Sequence, residues 1–182
     1  MTPENVCQLA ASAPGRWAEL ELVHRSNDIS VRAWLRHGEL DGVRLDDGQR
    51  IQERGAPPSS WTVRPLEPYP TNYQWSAMLD PYELTTGVTI IDPRDGELFG
   101  RRVVSFLARA VPGYAPICSC CPLIFSEASE RLEHGEDWTA QPGELPDGVE
   151  LALDLEIGIV VSSRDHGGRL DSWFTNEILR VR

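Results

Sequence analysis

The chain has 182 residues, a formal net charge of −11, 41% hydrophobic residues and six tryptophans. At this length about two-thirds of the unfolded surface can be buried around one core, and the ordinary charged content of 25% argues against wholesale disorder. An acidic chain repels phosphate backbones and anionic bilayers, so nucleic acid and membrane surfaces are excluded as expected partners. All 17 basic residues are arginine, which reads as genome composition rather than chemistry.

The N-terminus carries acid rather than base, and its apolar run is short, so no export signal is read there. No stretch approaches the ~20 apolar residues of a membrane span. The expectation is a cytoplasmic chain of one domain, with a helix over residues 1–14 and a sheet-based body over 15–182. Free thiols are the rule in that compartment.

Thr2-Pro3-Glu4 is a helix start: an N-cap, a proline in the first turn and an acid against the dipole. The helix carries Val6, Leu9 and Ala10 and stops before Pro14-Gly15. From Trp17 the period changes to two, with Leu20 and Leu22 on one face and Glu19 and Glu21 on the other, which predicts a strand. Val31, Ala33 and Leu35 continue the alternation against Arg32, Trp34 and Arg36. Asp46-Asp47-Gly48 predicts a hairpin joining Val43–Leu45 to Arg50–Gln52.

A Pro-rich loop is expected over 55–60, a short strand over 61–63 and a rigid irregular run over 65–70. Thr71 is placed as the cap of a helix containing Tyr73, Trp75, Ala77, Met78 and Leu79. Asp80-Pro81 interrupts that helix, and Tyr82-Glu83-Leu84 adds one turn. Strand patterning returns at Val88–Ile91. A turn is expected at Pro93-Arg94-Asp95-Gly96, followed by a long strand from Glu97 to Arg109. Ser126–Glu133 reads as a short helix ended by His134-Gly135.

The last third has the clearest pattern. Val149, Leu151, Leu153 and Leu155 alternate with Glu150, Ala152, Asp154 and Glu156. The chain turns at Gly158, returns through Ile159–Ser163, turns again at Asp165-His166-Gly167-Gly168, and ends in a strand over Leu170–Val181. The fold class is therefore mostly β: an antiparallel meander of eight to ten strands with a few short helices.

Three of the four cysteines fall in Cys118-Ser119-Cys120-Cys121-Pro122. Structural zinc takes four ligands, usually as two separated pairs, and no second pair is present. Cys7, His134 or His166 would have to complete such a site through the fold. Cu(I) accepts two or three thiolates, so Cys118, Cys120 and Cys121 suffice by themselves. A redox reading pairs Cys118 with Cys121, and a packing reading needs no chemistry at all.

Among the aromatics, Trp34 and Trp173 are the better cavity candidates: each stands in a strand between polar neighbours, a position expected to face the concave side of a half-barrel. Tyr73 and Trp75 are adjacent on a helix and point in different directions. These four are the candidate ligand-binding residues. His24, His37, His134 and His166 are scattered, and Asp165 next to His166 makes a poor orienting pair. Glu127, Glu130, Glu133 and Glu136 read as a solvated helix face. No phosphate-binding loop, dinucleotide fingerprint, zincin helix or nucleophile elbow is present, which disfavours nucleotide-driven chemistry and the common hydrolases.

The C-terminal run LALDLEIGIVVSSRDHGGRLDSWFTNEI resembles the end of the lipoprotein-carrier, LolA-like, half-barrel family. There a strand runs through an Asp, turns at Gly, returns to a second turn and closes with an aromatic-bearing strand. The two strands over Trp17–Arg36 after an N-terminal helix are similar to that family's start. NYQWSAMLDPYEL and PGYAPICSCCPL resemble segments of uncharacterised actinobacterial proteins of related architecture. The resemblance covers about residues 15–182. It implies an incomplete β-barrel with an apolar cavity covered by helices, in a family that carries acyl chains or senses lipoproteins.

The expectation is a half-barrel that binds a hydrophobic small molecule or acyl group without a cofactor. The alternatives are a thiol-centred protein holding Cu(I) or Zn(II) or cycling a disulfide, and a cofactor-independent biosynthetic enzyme with the cavity as its active site. The sequence leaves the oligomeric state undetermined.

Overall fold

The computed structural model describes residues 1–54, 73–116 and 118–182; the side chain of Tyr73 and the expected elements within 55–72 lie outside the described residues. Helix α1 spans Pro3–Ser12, and Thr2 caps it by accepting a hydrogen bond from the Asn5 amide at 3.3 Å. Its buried stripe is Val6, Leu9 and Ala10. Strands β1 (Glu19–Ser26), β2 (Ser30–Arg36), β3 (Glu39–Arg44) and β4 (Arg50–Arg54) form an antiparallel meander. The β3–β4 hairpin turns where Asp46-Asp47-Gly48 predicts, with Val43 opposite Arg50.

Helix α2 (Tyr73–Leu79) and a 3₁₀ turn (Tyr82–Thr85) come next. Then β5 (Val88–Leu98) and β6 (Arg101–Ala110) form a long hairpin, and α3 (Glu127–His134) precedes β7 (Gly148–Asp154), β8 (Val160–His166) and β9 (Trp173–Val181). Ser126 and Ser129 cap α3 reciprocally, each satisfying an amide that the helix start leaves free.

Among the described residues, nine strands form one sheet in the order β4-β3-β2-β1-β9-β8-β7-β6-β5. Two meanders are thus joined by the β1–β9 pair, in which Leu22 lies opposite Ile178 and His24 opposite Asn176. Among the described residues the two outer strands, β4 and β5, are not paired with each other, so the sheet they bound is open rather than a closed barrel.

The β5–β6 hairpin departs from the sequence expectation. No turn forms at Pro93–Gly96; β5 runs through these residues, and the chain reverses at Phe99-Gly100, both with positive φ (51° and 73°). Two consecutive left-handed residues suit a tight hairpin, whose twist then matches the strands. Asp92 (φ 54°) sits in a register shift between Ile91 and Arg94 that takes up Pro93. Proline has no amide to donate, and an edge strand with a bulge tolerates that loss.

Alternation divides the sheet into two faces. Leu20, Leu22 and His24 of β1, Val31, Ala33 and Leu35 of β2, Val104, Phe106 and Ala108 of β6, and Phe174, Asn176 and Ile178 of β9 are buried. Helices α1 and α2 cover this inner face, and their apolar residues join the same core. The outer face carries arginine–carboxylate pairs such as Arg32–Glu21, Arg54–Asp41 and Arg25–Glu177. Pairs of this kind, in contact with water, keep a face soluble and add little stability.

One ion pair is different. Arg101 donates to both carboxylate oxygens of Asp154 at 2.6 and 3.0 Å, and Asp154 is 1% exposed. The same carboxylate accepts from the amides of Glu156 and Ile157 at 2.9 and 3.0 Å. It therefore organises the turn between β7 and β8 and ties it to β6. Gly158 in that turn has φ 78°, and a Cβ there would stand 2.7 Å from the Leu9 carbonyl of α1. A side chain at 158 would push α1 off the sheet.

Candidate functional site

Among the described residues the inner face is built mainly from apolar side chains, with a polar pair at its centre and Ser163 beside Phe174. His24 of β1 and Asn176 of β9 face each other, with Nδ1 of His24 2.9 Å from Oδ1 of Asn176. The Asn176 amide donates to the Val160 carbonyl at 2.7 Å and approaches the Met78 sulfur at 3.2 Å. Asn176 thus fixes the Nδ1–H tautomer of His24, which leaves Nε2 as an acceptor. His24 is 1% exposed, and its Nε2 has no hydrogen-bond partner among the described residues. Burial drives its pKa from 6.5 down to about 4, against a smaller opposing effect of Asn176. The imidazole is therefore neutral at physiological pH.

Aromatic rings surround this histidine. Trp75 of α2 lies 4.8 Å away between ring centroids and Phe174 of β9 lies 5.7 Å away. Trp75, Ala77, Met78 and Leu79 of α2 are all buried. These side chains pack α2 onto the sheet at this point.

The four aromatics singled out from sequence are not gathered at one place. Trp75 is on the inner face, beside His24. Trp34 is 41% exposed on the outer face, opposite Glu21 on one side and Asp41 on the other. Arg32 stacks over its ring at 5.4 Å. A shallow groove of about 270 Å³ runs there, lined by Trp34 with Glu19, Glu21, Arg36, Asp41 and Arg180. Trp173 is half-buried and pairs with Arg164 of β8, so it shares the outer face with Ser162 and Arg164. Tyr73 opens α2, with its side chain outside the described residues.

The thiols do converge. The Sγ atoms of Cys118, Cys120 and Cys121 all lie within 4.8 Å of one another. Cys118 and Cys120 are the nearest pair at 3.0 Å, and Cys120 and Cys121 stand 3.8 Å apart. All four cysteines are free thiols. Burial and the neighbouring thiols push the Cys121 pKa up, and burial together with Cys118 does the same to Cys120. Among the described residues no further His, Cys, Asp or Glu joins the group. Cys7 on α1 donates to the Leu84 carbonyl, His134 pairs with Glu130, and His166 pairs with Glu150.

The loop that carries the thiols is pinned at its base by two residues that the sequence does not mark. Glu83 of the 3₁₀ turn is 1% exposed and accepts from the Tyr114 hydroxyl at 2.6 Å and the Leu123 amide at 3.0 Å. The Tyr114 oxygen accepts from the Ile124 amide at 3.0 Å. Residues 114 and 124 are thereby closed on each other and fastened to the core. Burial, with the adjacent Glu83, raises the Tyr114 pKa well above the usual phenol value. Tyr114 therefore stays a donor. The only cue in the sequence is a Tyr and a Glu beside breaks in the pattern, and many exposed residues share it.

The open nine-stranded sheet, with helices over one face, defines the class: this chain has the LolA-like half-barrel architecture. No protein-family model matches it, and no curated protein matches it. Solved structures do. The Mycobacterium tuberculosis lipoprotein LppX is similar over 96% of this chain and 92% of its own, with a TM-score of 0.52 and 11% identity. MucB is similar over 96% of this chain and 57% of its own (TM-score 0.44, 15% identity). MucB in complex with MucA aligns over 97% of this chain and 54% of its own (TM-score 0.46, 14% identity). At such identities the likeness is one of fold. No helix among the described residues is long and apolar enough to cross a membrane.

Proposed function

We propose that the chain binds a hydrophobic small molecule or acyl group against the inner face of the half-barrel, beneath α2. The observation that carries this reading is the construction of that face. An open sheet presents an apolar surface, and among the described residues α2 covers its centre with Trp75 and Met78 pointing onto it. A helix that covers an apolar sheet face is an element that an apolar ligand can displace by local opening, without unfolding the sheet. Methionine adapts to whatever replaces its neighbours. The free Nε2 of His24 is a polar acceptor in a mainly apolar wall, suited to a ligand with one hydroxyl or protonated carboxyl group.

The described inner face is filled by its own side chains, so the ligand enters by lifting α2 and taking over the contacts of Trp75. The test is titration of the full chain with cis-parinaric acid, with oleate as competitor. Saturable emission displaced by oleate, and unchanged in Trp34→Ala, supports binding at the inner face. Absence of saturation, or loss of binding in Trp34→Ala, refutes it, because Trp34 stands on the other face of the sheet.

A further inference from the structure

We propose that Cys118, Cys120 and Cys121 form a three-coordinate site for a soft monovalent metal ion, Cu(I), independent of the inner face. Three thiolates about 2.3 Å from one metal in a plane stand about 4.0 Å apart. The three Sγ atoms lie within 4.8 Å of one another, with Cys118 and Cys120 3.0 Å apart and Cys120 and Cys121 3.8 Å apart. Closing around an ion therefore needs the Cys118–Cys120 pair to open by about 1 Å.

The loop is prepared for this. Pro116 and Pro122 are both buried on either side of the thiols. Leu123 and Ile124 are anchored in the core, and their amides are held by Glu83 and Tyr114. The Ser119 hydroxyl donates to Glu133 at 2.5 Å, which fixes the segment against α3 from the other side. A segment tied at three points loses little further freedom when it takes up an ion. Cys120 is exposed while Cys118 and Cys121 are half-buried, so an ion can enter from solvent and be enclosed on its far side.

Ligand number and softness favour this reading over its competitors. Zinc in a structural site takes four ligands, and among the described residues no fourth side chain joins the cluster. Soft thiolate sets select Cu(I). A disulfide needs two thiols and leaves the third unused. Consecutive residues such as Cys120 and Cys121 stand about 3.8 Å apart at Cα, short of the roughly 4.4 Å that ordinary disulfides require.

The test uses the full chain, fully reduced and kept under argon, titrated into the bathocuproine disulfonate complex of Cu(I). The expected result is withdrawal of one Cu(I) per chain. Cys118→Ser, Cys120→Ser and Cys121→Ser should each weaken binding at least tenfold, and Cys7→Ser should leave it unchanged. Cys120 is exposed, so Cys120→Ser reports on the site without endangering the fold, which circular dichroism checks. Equal withdrawal by the triple serine variant, or an equal loss in Cys7→Ser, would overturn the assignment. So would displacement of the bound Cu(I) by an excess of Zn(II), which would mean a four-ligand site.

Discussion

Acid should weaken this fold through a single histidine, and the size of the effect follows from the structure. His24 is folded into the core as the neutral base, with its pKa lowered from 6.5 to about 4. Between those values the unfolded chain holds a proton on His24 and the folded chain does not, so stability falls as pH falls. The contribution is intact above about pH 6.5 and fully lost below about pH 4. At pH 5 it amounts to about 2 kcal/mol, and over the whole interval to about 3 kcal/mol. Carboxylates such as Asp41 and Asp46, which their arginine partners hold below the usual range, add their own acid sensitivity. A reference variant removes it. His24→Gln cannot titrate, and its amide can still reach Asn176. Urea unfolding of both chains from pH 7.5 to pH 5 should show wild type losing about 2 kcal/mol more than His24→Gln. Parallel pH profiles would refute the reasoning, because His24 would then be solvated or paired in the folded state.

Gly158→Ala combines a positive φ with a Cβ 2.7 Å from the Leu9 carbonyl; a loss of about 2 kcal/mol or more in chemical denaturation is expected, with α1 amides exchanging faster. Arg101→Leu leaves the Asp154 carboxylate buried with no cation beside it, and unfolding experiments should show a cost of about 3 kcal/mol. Tyr114→Phe removes one donor from Glu83 and the acceptor of the Ile124 amide. It should cost about 2 kcal/mol by urea denaturation and make the Cys121 thiol react faster with a maleimide. Trp34→Ala, on the outer face, should change stability by less than about 1 kcal/mol in the same assay, since what it loses is one exposed stacking contact with Arg32.

Whatever depended on neighbours in the chain was legible in the sequence. The Thr2-Pro3 helix start, the Asp46-Asp47-Gly48 hairpin, the Ser126 helix start and the alternation of Val149, Leu151 and Leu153 all form as read. Each is a local preference of the backbone or a period fixed by strand geometry. The β5–β6 turn is the instructive exception. Pro93-Arg94-Asp95-Gly96 has the composition of a turn, yet Phe99-Gly100 makes it. Pairing of Val103 and Val104 with β7 sets where β6 begins, and a bulge at the sheet edge absorbs the proline.

Period alone told which residues share a face, and it placed Trp34 with Arg32 and Arg36 rather than with Leu35. It did not tell which face the helices cover, because that depends on where α1 and α2 return to the sheet. His24 and Asn176 are 152 positions apart; only the joining of the two meanders through β1 and β9 makes them partners. Glu83 and Tyr114 likewise become the base of the thiol loop only when the 3₁₀ turn packs beside it. The sequence determined the mostly β antiparallel fold and the closeness of three thiols along the chain, while the open half-barrel was implied by its resemblance to the LolA-like family. The tertiary structure decided which aromatic faces inward, which histidine is stripped of water and what holds the thiols together. Those are contacts between distant segments, and no local preference encodes them.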